Sequence, residues 1–236
     1  QNSVAGMANK YLARLARKIY TAFPNVLEGA HCIGNPLRQE FIGQPEPALR
    51  FAARSGPLRM LVLGGSLGAK ALNEIVPQAL AVLPADTRPM VIHQSGQDHI
   101  NALRANYAKA GVQAELTAFI DDTARAMADA DLIICRAGAS TVTEIAAVGA
   151  AAVFVPFPSA VDDHQTTNAS FLAADGGGWL VRQSDLTADR LARMLQKADR
   201  PTLLGAAIAA RKKAKWGATE RMVAACESLV ARQGSA

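Results

Sequence analysis

From Pro57 onward, short apolar runs and helical patterns alternate without a break, and few folds accommodate that order. Strands are expected at residues 59–63, 90–94, 114–118, 132–135, 152–155 and 179–181, each short and mostly Val, Ile, Leu or Ala. Helical spacing of apolar residues runs over 67–83, 98–110, 122–128, 140–148 and 163–174, and again over 187–197, 201–213 and 218–232. Such alternation implies an α/β fold, a Rossmann-like parallel sheet with helices on both faces, whose ligand lies at the carboxyl ends of the strands. With 236 residues, 50% of them hydrophobic, the chain can bury one substantial core.

The first of these strands runs straight into a glycine turn and a helix, Leu61-Val62-Leu63-Gly64-Gly65-Ser66-Leu67-Gly68-Ala69-Lys70. The strand carries the backbone to the edge of the sheet, and glycine lets it approach a ligand without a Cβ. The helix then offers unpaired N–H groups at the positive end of its dipole, which suits a phosphate. A dinucleotide fingerprint would need glycine where Leu63 stands and an acid where the second strand ends in His93-Gln94-Ser95-Gly96, so nicotinamide chemistry is not indicated.

The fourth strand leads into a second turn of this kind, Cys135-Arg136-Ala137-Gly138-Ala139-Ser140-Thr141-Val142-Thr143-Glu144. Ser140 or Thr141 is expected to cap the helix. Glu144 has two readings. It can close a capping box with the Ser or Thr ahead of it, or it can accept two hydrogen bonds from the vicinal hydroxyls of a ribose. After the fifth strand, Pro156-Phe157-Pro158 and Asp162-Asp163-His164-Gln165-Thr166-Thr167-Asn168-Ala169 bring Gln165 and Asn168 to the start of a helix, as amides of the sort that read sugar hydroxyls. The competing view makes His164 and Asn168 cap and surface residues.

Composition removes other classes. Cys32, Cys135 and Cys226 are odd in number, widely spaced and without a CxxC pair, which argues against a disulfide framework or a thiolate metal site and for a reducing compartment. The longest nearly uncharged run, 145–161, is broken by Gly149, Pro156 and Pro158 and falls short of a membrane span, for which about 20 apolar residues are needed. A net charge of +5 and 5% aromatic residues, with no recognition motif, speak against nucleic acid. No repeat or low-complexity segment is present. The opening Gln1-Asn2-Ser3-Val4 has neither an initiator Met nor a signal-peptide pattern, so the chain is expected to begin inside something longer.

Six segments taken in order, Gln1-Asn2 with Gly6, Gly34-Asn35-Pro36-Leu37-Arg38, Gly64-Gly65-Ser66-Leu67-Gly68-Ala69, Phe119-Ile120-Asp121-Asp122, Arg136 to Glu144, and Asp163 to Ala169, resemble the MurG family over nearly the whole chain. That family comprises the UDP-N-acetylglucosamine transferases of peptidoglycan synthesis. The resemblance implies a GT-B fold, of which this chain would be the donor-binding half: residues 1–36 a remnant of the acceptor domain and linker, 37–217 the donor domain, and 218–236 a helix returning to the acceptor domain. Exposed apolar faces are then expected on the 4–15 and 218–232 helices. By the same resemblance Asn2 contacts the N-acetylglucosamine, Arg38 the nucleotide end, and Gly65, Ser66 and Gly68 the diphosphate. Ile120 offers its main chain to uracil, Ala139, Ser140, Thr141, Val142 and Thr143 line phosphate and sugar, Glu144 takes the ribose, and Gln165 reads the transferred sugar. The family's histidine would lie outside this chain, leaving the catalytic residue unassigned and the fragment without turnover. The implied acceptor is a lipid-linked muramyl-pentapeptide, met by the other domain at the cytoplasmic face of the bacterial inner membrane. No cofactor and no metal is implied, since no Asp-x-Asp lies near the diphosphate site. The alternatives are another GT-B enzyme on UDP-sugars (a 2-epimerase or glycolipid galactosyltransferase), a non-catalytic nucleotide-binding module, and a scaffold.

Overall fold

The structure, a computed structural model, describes residues 1–65, 68–158 and 163–233. In chain order its elements are α1 (Met7–Ala13), β1 (Tyr20–Thr21), β2 (His31–Cys32), α2 (Gln39–Ile42), α3 (Pro47–Ala52), β3 (Arg59–Leu63), α4 (Lys70–Val82), β4 (Met90–Gln94), α5 (Ile100–Ala110) and β5 (Glu115–Thr117). There follow α6 (Thr123–Asp129), β6 (Leu132–Cys135), α7 (Ala139–Val148), β7 (Ala152–Phe154), α8 (His164–Ala173), β8 (Trp179–Leu180), α9 (Ala188–Gln196), α10 (Arg200–Lys212) and α11 (Ala218–Gln233). All six expected strands form, with ends shifted by a residue or so, and they make one parallel sheet in the order β5-β4-β3-β6-β7-β8.

The central strands are buried on both faces, and the period of two divides their side chains between two layers. Met60 and Val62 of β3 and Leu132 and Ile134 of β6 face Leu72, Val76 and Leu80 of α4, Leu103 of α5 and Leu191 of α9. Leu61, Leu63, Ile133 and Cys135 face the opposite way, onto Met127 of α6, Val142 and Ile145 of α7 and Leu172 of α8. The register Met60↔Leu132 and Leu61↔Ile133 keeps each pair on its own face. Because the chain builds outward from β3 to β5, then returns to β6 beside β3 and builds the other way, the topological switch point lies between β3 and β6.

Pro77 sits inside α4, where it has no N–H to give the carbonyl of Asn73 one turn back. Asn106 of α5 supplies the missing donor, its Nδ2 lying 3.0 Å from Asn73 O. The helix therefore tolerates its proline through a side chain from its neighbour.

Residues 37–57 hold two helices, α2 and α3. α3 starts with Pro47 in its first turn, where a missing N–H costs nothing. From it Arg50 donates to Ala128 O at 2.6 Å and Val148 O at 2.7 Å, and Arg54 donates to Ala130 O and pairs with Asp131 at 2.8 Å. Guanidinium groups thus satisfy the carbonyls that α6 and α7 leave open at their ends.

Near the start of the chain β1 and β2 pair in parallel as a separate two-stranded sheet. Beyond them Ala22 and Phe23 enter the second core layer, and Phe23 meets Phe171 edge-on at 5.1 Å. α1 by contrast buries nothing: Met7 is 75% exposed, with Tyr11, Leu12 and Leu15 also in the open. α11 approaches the same region through Lys18 Nζ to Ser228 Oγ at 2.8 Å and exposes Met222, Val223 and Val230. No helix among the described residues is long and apolar enough to cross a membrane.

Candidate functional site

Both glycine turns open at the switch point, one from the end of β3 and one from the end of β6. In the first, Gly65 and Gly68 take φ of +78° and +72°, in the left-handed region that glycine enters freely. A Cβ on Gly68 would also strike the Ser95 carbonyl and lie 2.5 Å from the His99 ring. α4 begins directly after this turn, its N-cap Ala69 offering no side-chain hydrogen bond, so the first N–H groups of the helix keep no side-chain cap. Ser66 lies outside the described residues.

Gln94, at the end of β4, braces the turn. Its Oε1 accepts from Gly65 N at 3.2 Å, and its Nε2 donates to Gly65 O and to Ala118 O, each at 3.1 Å. Ala118 leads into Phe119 and Ile120, and the Ile120 carbonyl accepts from the Thr123 hydroxyl at 3.2 Å.

The second turn corrects the capping expectation. The N-cap of α7 is Gly138, with no side-chain cap, while Ser140 and Thr141 lie inside the first turn and Glu144 in the second. A capping box needs its acid three residues after the cap, and Glu144 stands six residues after Gly138, too far to close one. The first-turn N–H groups of α7 are therefore left without a capping side chain. Within the stretch, Ala139 and Val142 pack in the core, and the buried Thr143 hydroxyl bonds the carbonyls of Ala139 and Ser140 at 3.0 and 2.9 Å while receiving Asn35 Nδ2 at 3.3 Å. These three side chains point away from the cleft; Thr141 lines it.

Between the two turns lies a cleft of about 180 Å³. Leu63, Phe119, Ile120 and Met127 make its apolar wall; Gly65, Gln94, Thr123, Arg136, Thr141 and Glu144 supply its polar groups, and Cys135 its floor. Desolvation pushes the Glu144 carboxyl above its ordinary range, opposed by the nearby charge of Arg38, whose guanidinium rests 5.0 Å from the Phe41 ring. Burial likewise pushes the Cys135 thiol up, leaving it protonated and inert.

Arg136, quoted in the motif above without a role of its own, proves central to the site. Its Nη1 donates to Val155 O and Pro156 O at 3.1 and 3.2 Å, its Nη2 donates to Gln183 Oε1 at 2.6 Å, and the group lies 5.5 Å from the Phe157 ring. So held, it forms a partition between the first cleft and a second, more open one of about 340 Å³ lined by Gly68, Ala69, Lys70, His99 and Phe157. Desolvation lowers its pKa. The one sequence signal was a cation placed directly after a fully apolar strand.

The remaining candidates form a neighbouring group outside the cleft. Gln165 Oε1 accepts from Ala137 N at 3.2 Å and from Phe157 N at 2.9 Å, which fixes the orientation of its amide. Asn2 Oδ1 accepts from Asn168 Nδ2 at 3.3 Å, and Asn168 also donates to Ala137 O and accepts from Ser3 N at 3.0 Å. Asn168 is fully buried, which corrects both readings made of it: it is neither a surface residue nor free to read a sugar, but ties the start of the chain to α8 and the second turn. Gln1 reaches Ser140 Oγ at 3.2 Å, completing that tie.

Comparison with known proteins agrees with this geometry. Residues 59–223 match the glycosyltransferase family 28 C-terminal domain. The chain is 69% identical over 229 residues to a protein of Polaromonas sp. (strain JS666 / ATCC BAA-500), and 67% identical over 230 residues to one of Albidiferax ferrireducens. Both carry the name UDP-N-acetylglucosamine–N-acetylmuramyl-(pentapeptide) pyrophosphoryl-undecaprenol N-acetylglucosamine transferase. The alignments take in 97% and 98% of this chain but 59% of each relative, so the chain spans about three fifths of their length. Among solved structures, Acinetobacter baumannii MurG superposes with a TM-score of 0.87 at 40% identity, over 96% of this chain and 65% of that one. Given a parallel sheet of the GT-B type, two glycine-opened helix ends at its switch point and these matches, the chain belongs to glycosyltransferase family 28, in its MurG branch.

Proposed function

We propose that this chain binds UDP-N-acetylglucosamine in the cleft between the two glycine turns, and that it serves an inverting glycosyltransferase. The whole protein would pass N-acetylglucosamine to the C4 hydroxyl of a lipid-linked muramyl-pentapeptide at the cytoplasmic face of the bacterial membrane. The observation that carries the reading is the convergence, at one switch point, of two uncapped helix ends, a fixed guanidinium and a desolvated carboxylate.

Uracil fits the apolar wall at Phe119 and Ile120, with the Ile120 main chain toward the base. Glu144, at the mouth of α7, accepts from the ribose hydroxyls, and Arg38 stands on the same side. The diphosphate then lies at Gly65, Gly68 and the first turn of α7, beside Arg136, with the sugar toward Asn2 and Gln165.

In the transfer, the acceptor hydroxyl attacks the anomeric carbon from the face opposite the diphosphate. The carbon–oxygen bond to UDP breaks, UDP leaves with the electron pair, and the hydroxyl proton passes to a base outside the residues assigned here. Charge gathers on the leaving diphosphate. Two helix dipoles and Arg136, already oriented by Val155, Pro156 and Gln183, stabilise it without reorganisation.

Calorimetric titration with UDP-N-acetylglucosamine, UDP-glucose and NADH tests the reading. Saturable binding is expected for UDP-N-acetylglucosamine, weaker binding for UDP-glucose and none for NADH, with the affinity unchanged by chelator. Equal binding of NADH, or no binding of UDP, would remove the proposal.

A further inference from the structure

The phosphate turn follows β3 and the base-contacting loop follows β5, and β4 lies between those strands. The ladder joins them only as far as Gly64 N to Gln94 O at 3.1 Å and Ser95 N to Thr117 O at 2.9 Å. Beyond that point the Gln94 side chain crosses the gap. It is 5% exposed, lines the cleft, and spends both amide hydrogens and its oxygen on the two loops: Gly65 N, Gly65 O and Ala118 O. A terminal amide offers two donors and an acceptor in one plane; Asn is a methylene short, and a carboxylate has no donor.

We propose that Gln94 is the positioning residue that locks the phosphate turn and the base loop into one unit, so that affinity for a uridine diphosphate depends on its amide. The inference rests on the nucleotide reading above. Gln94 acts through the backbone of Gly65 and Ala118, and base contact at one loop fixes the phosphate donors at the other.

The test measures UDP affinity by calorimetry for the wild-type chain, Gln94→Glu and Gln94→Met, at pH 8 and pH 5.5. In Gln94→Glu the ionised carboxylate turns its charge on the carbonyls of Gly65 and Ala118; protonated, it regains one donor. Both variants are expected to bind at least tenfold more weakly at pH 8, by the loss of about one to three hydrogen bonds to ordered backbone. The deficit of Gln94→Glu relative to wild type should shrink severalfold at pH 5.5, and that of Gln94→Met should not. Glu144 and Arg136 line the same cleft as position 94, and the wild-type and Gln94→Met series carry the pH dependence they contribute, against which Gln94→Glu is compared. Wild-type affinity in Gln94→Met, or a Gln94→Glu deficit that ignores pH, would overturn the proposal. A second measurement needs no variant: saturating uridine should slow hydrogen exchange at the Gly65 amide as well as at Phe119 and Ile120, and protection confined to the base loop would also overturn it. Wild-type protein that binds no UDP would instead defeat the nucleotide reading itself.

Discussion

Glu144 and His93 are both desolvated, and burial shifts their pKa values in opposite directions. For Glu144 burial favours the neutral form, so its folded pKa is raised. As pH falls through that value the carboxyl protonates, which suits the fold but removes the charged acceptor proposed for the ribose. Hydrogen bonds to a charged group are worth about 1.5–3 kcal/mol, so Glu144→Ala should weaken UDP binding roughly ten- to a hundredfold at about 1.4 kcal/mol per decade. Its melting temperature should stay near that of wild type, and its affinity should lose the acid-dependent fall that wild type shows in a pH series of titrations. His93 is fully buried, with Nε2 3.0 Å from Asn73 Oδ1 and Nδ1 3.0 Å from the Tyr107 hydroxyl. Since Asn73 Nδ2 is spent on Ser95 O, its oxygen faces the ring, so Nε2 carries the proton and Nδ1 accepts from Tyr107. Desolvation depresses the His93 pKa from 6.5 to about 3. The unfolded chain takes up this proton below pH 6.5 and the folded chain does not, so the contribution is complete above 6.5 and is lost as pH falls toward 3. Urea unfolding at pH 7 and pH 5 should show wild type losing about 2 kcal/mol more than His93→Gln over that interval, at roughly 1.4 kcal/mol per pH unit.

At the level of elements, α4 depends on its neighbour. Pro77 leaves Asn73 O without a helical donor and Asn106 provides one. Asn106→Ala should cost about 1–3 kcal/mol, the penalty of a buried acceptor left unpaired. In a Pro77→Ala background the helix regains its own N–H, and the cost of Asn106→Ala should shrink; a double-mutant cycle by denaturant unfolding measures that coupling. The same Asn73 side chain bonds His93 and Ser95, so the helix that opens at the phosphate turn is anchored to the strand end that braces it. α7 teaches the complementary lesson. Ser140, Thr141 and Glu144 have the composition of a capping box, yet the N-cap falls two to three residues earlier, on Gly138. The spacing in the sequence fits either start; the turn that delivers α7 to the edge of the sheet selects Gly138, and Thr141 and Glu144 are released to the cleft.

For the molecule as a whole, Asp131 ties distant segments to the amino-terminal edge of the sheet. It is fully buried and meets Arg54 at 2.8 Å, Arg200 at 3.3 Å and the Arg59 N–H at 2.8 Å. Asp131→Ala strands two guanidinium groups, and breaking such a buried network costs about 3–5 kcal/mol; a large fall in the thermal midpoint is expected, with UDP affinity at 25 °C little changed because the cleft lies at the other edge. The strands and the two glycine turns were legible in the sequence, because apolar periodicity and the demand for φ above zero are local properties. So was the family, through six short motifs. The roles of Arg136, Gln94 and Asn168 were not, since each is defined by partners far along the chain: Gln183, Ala118, and Asn2 with Ser3. Periodicity and turn chemistry act over a few residues, and they alone determined that a parallel sheet with phosphate-ready ends would form. Which polar side chains brace the cleft and which face into it was decided only when strand order brought the ends of β3 and β6 together, because hydrogen-bond partners across a sheet are chosen by topology and not by spacing.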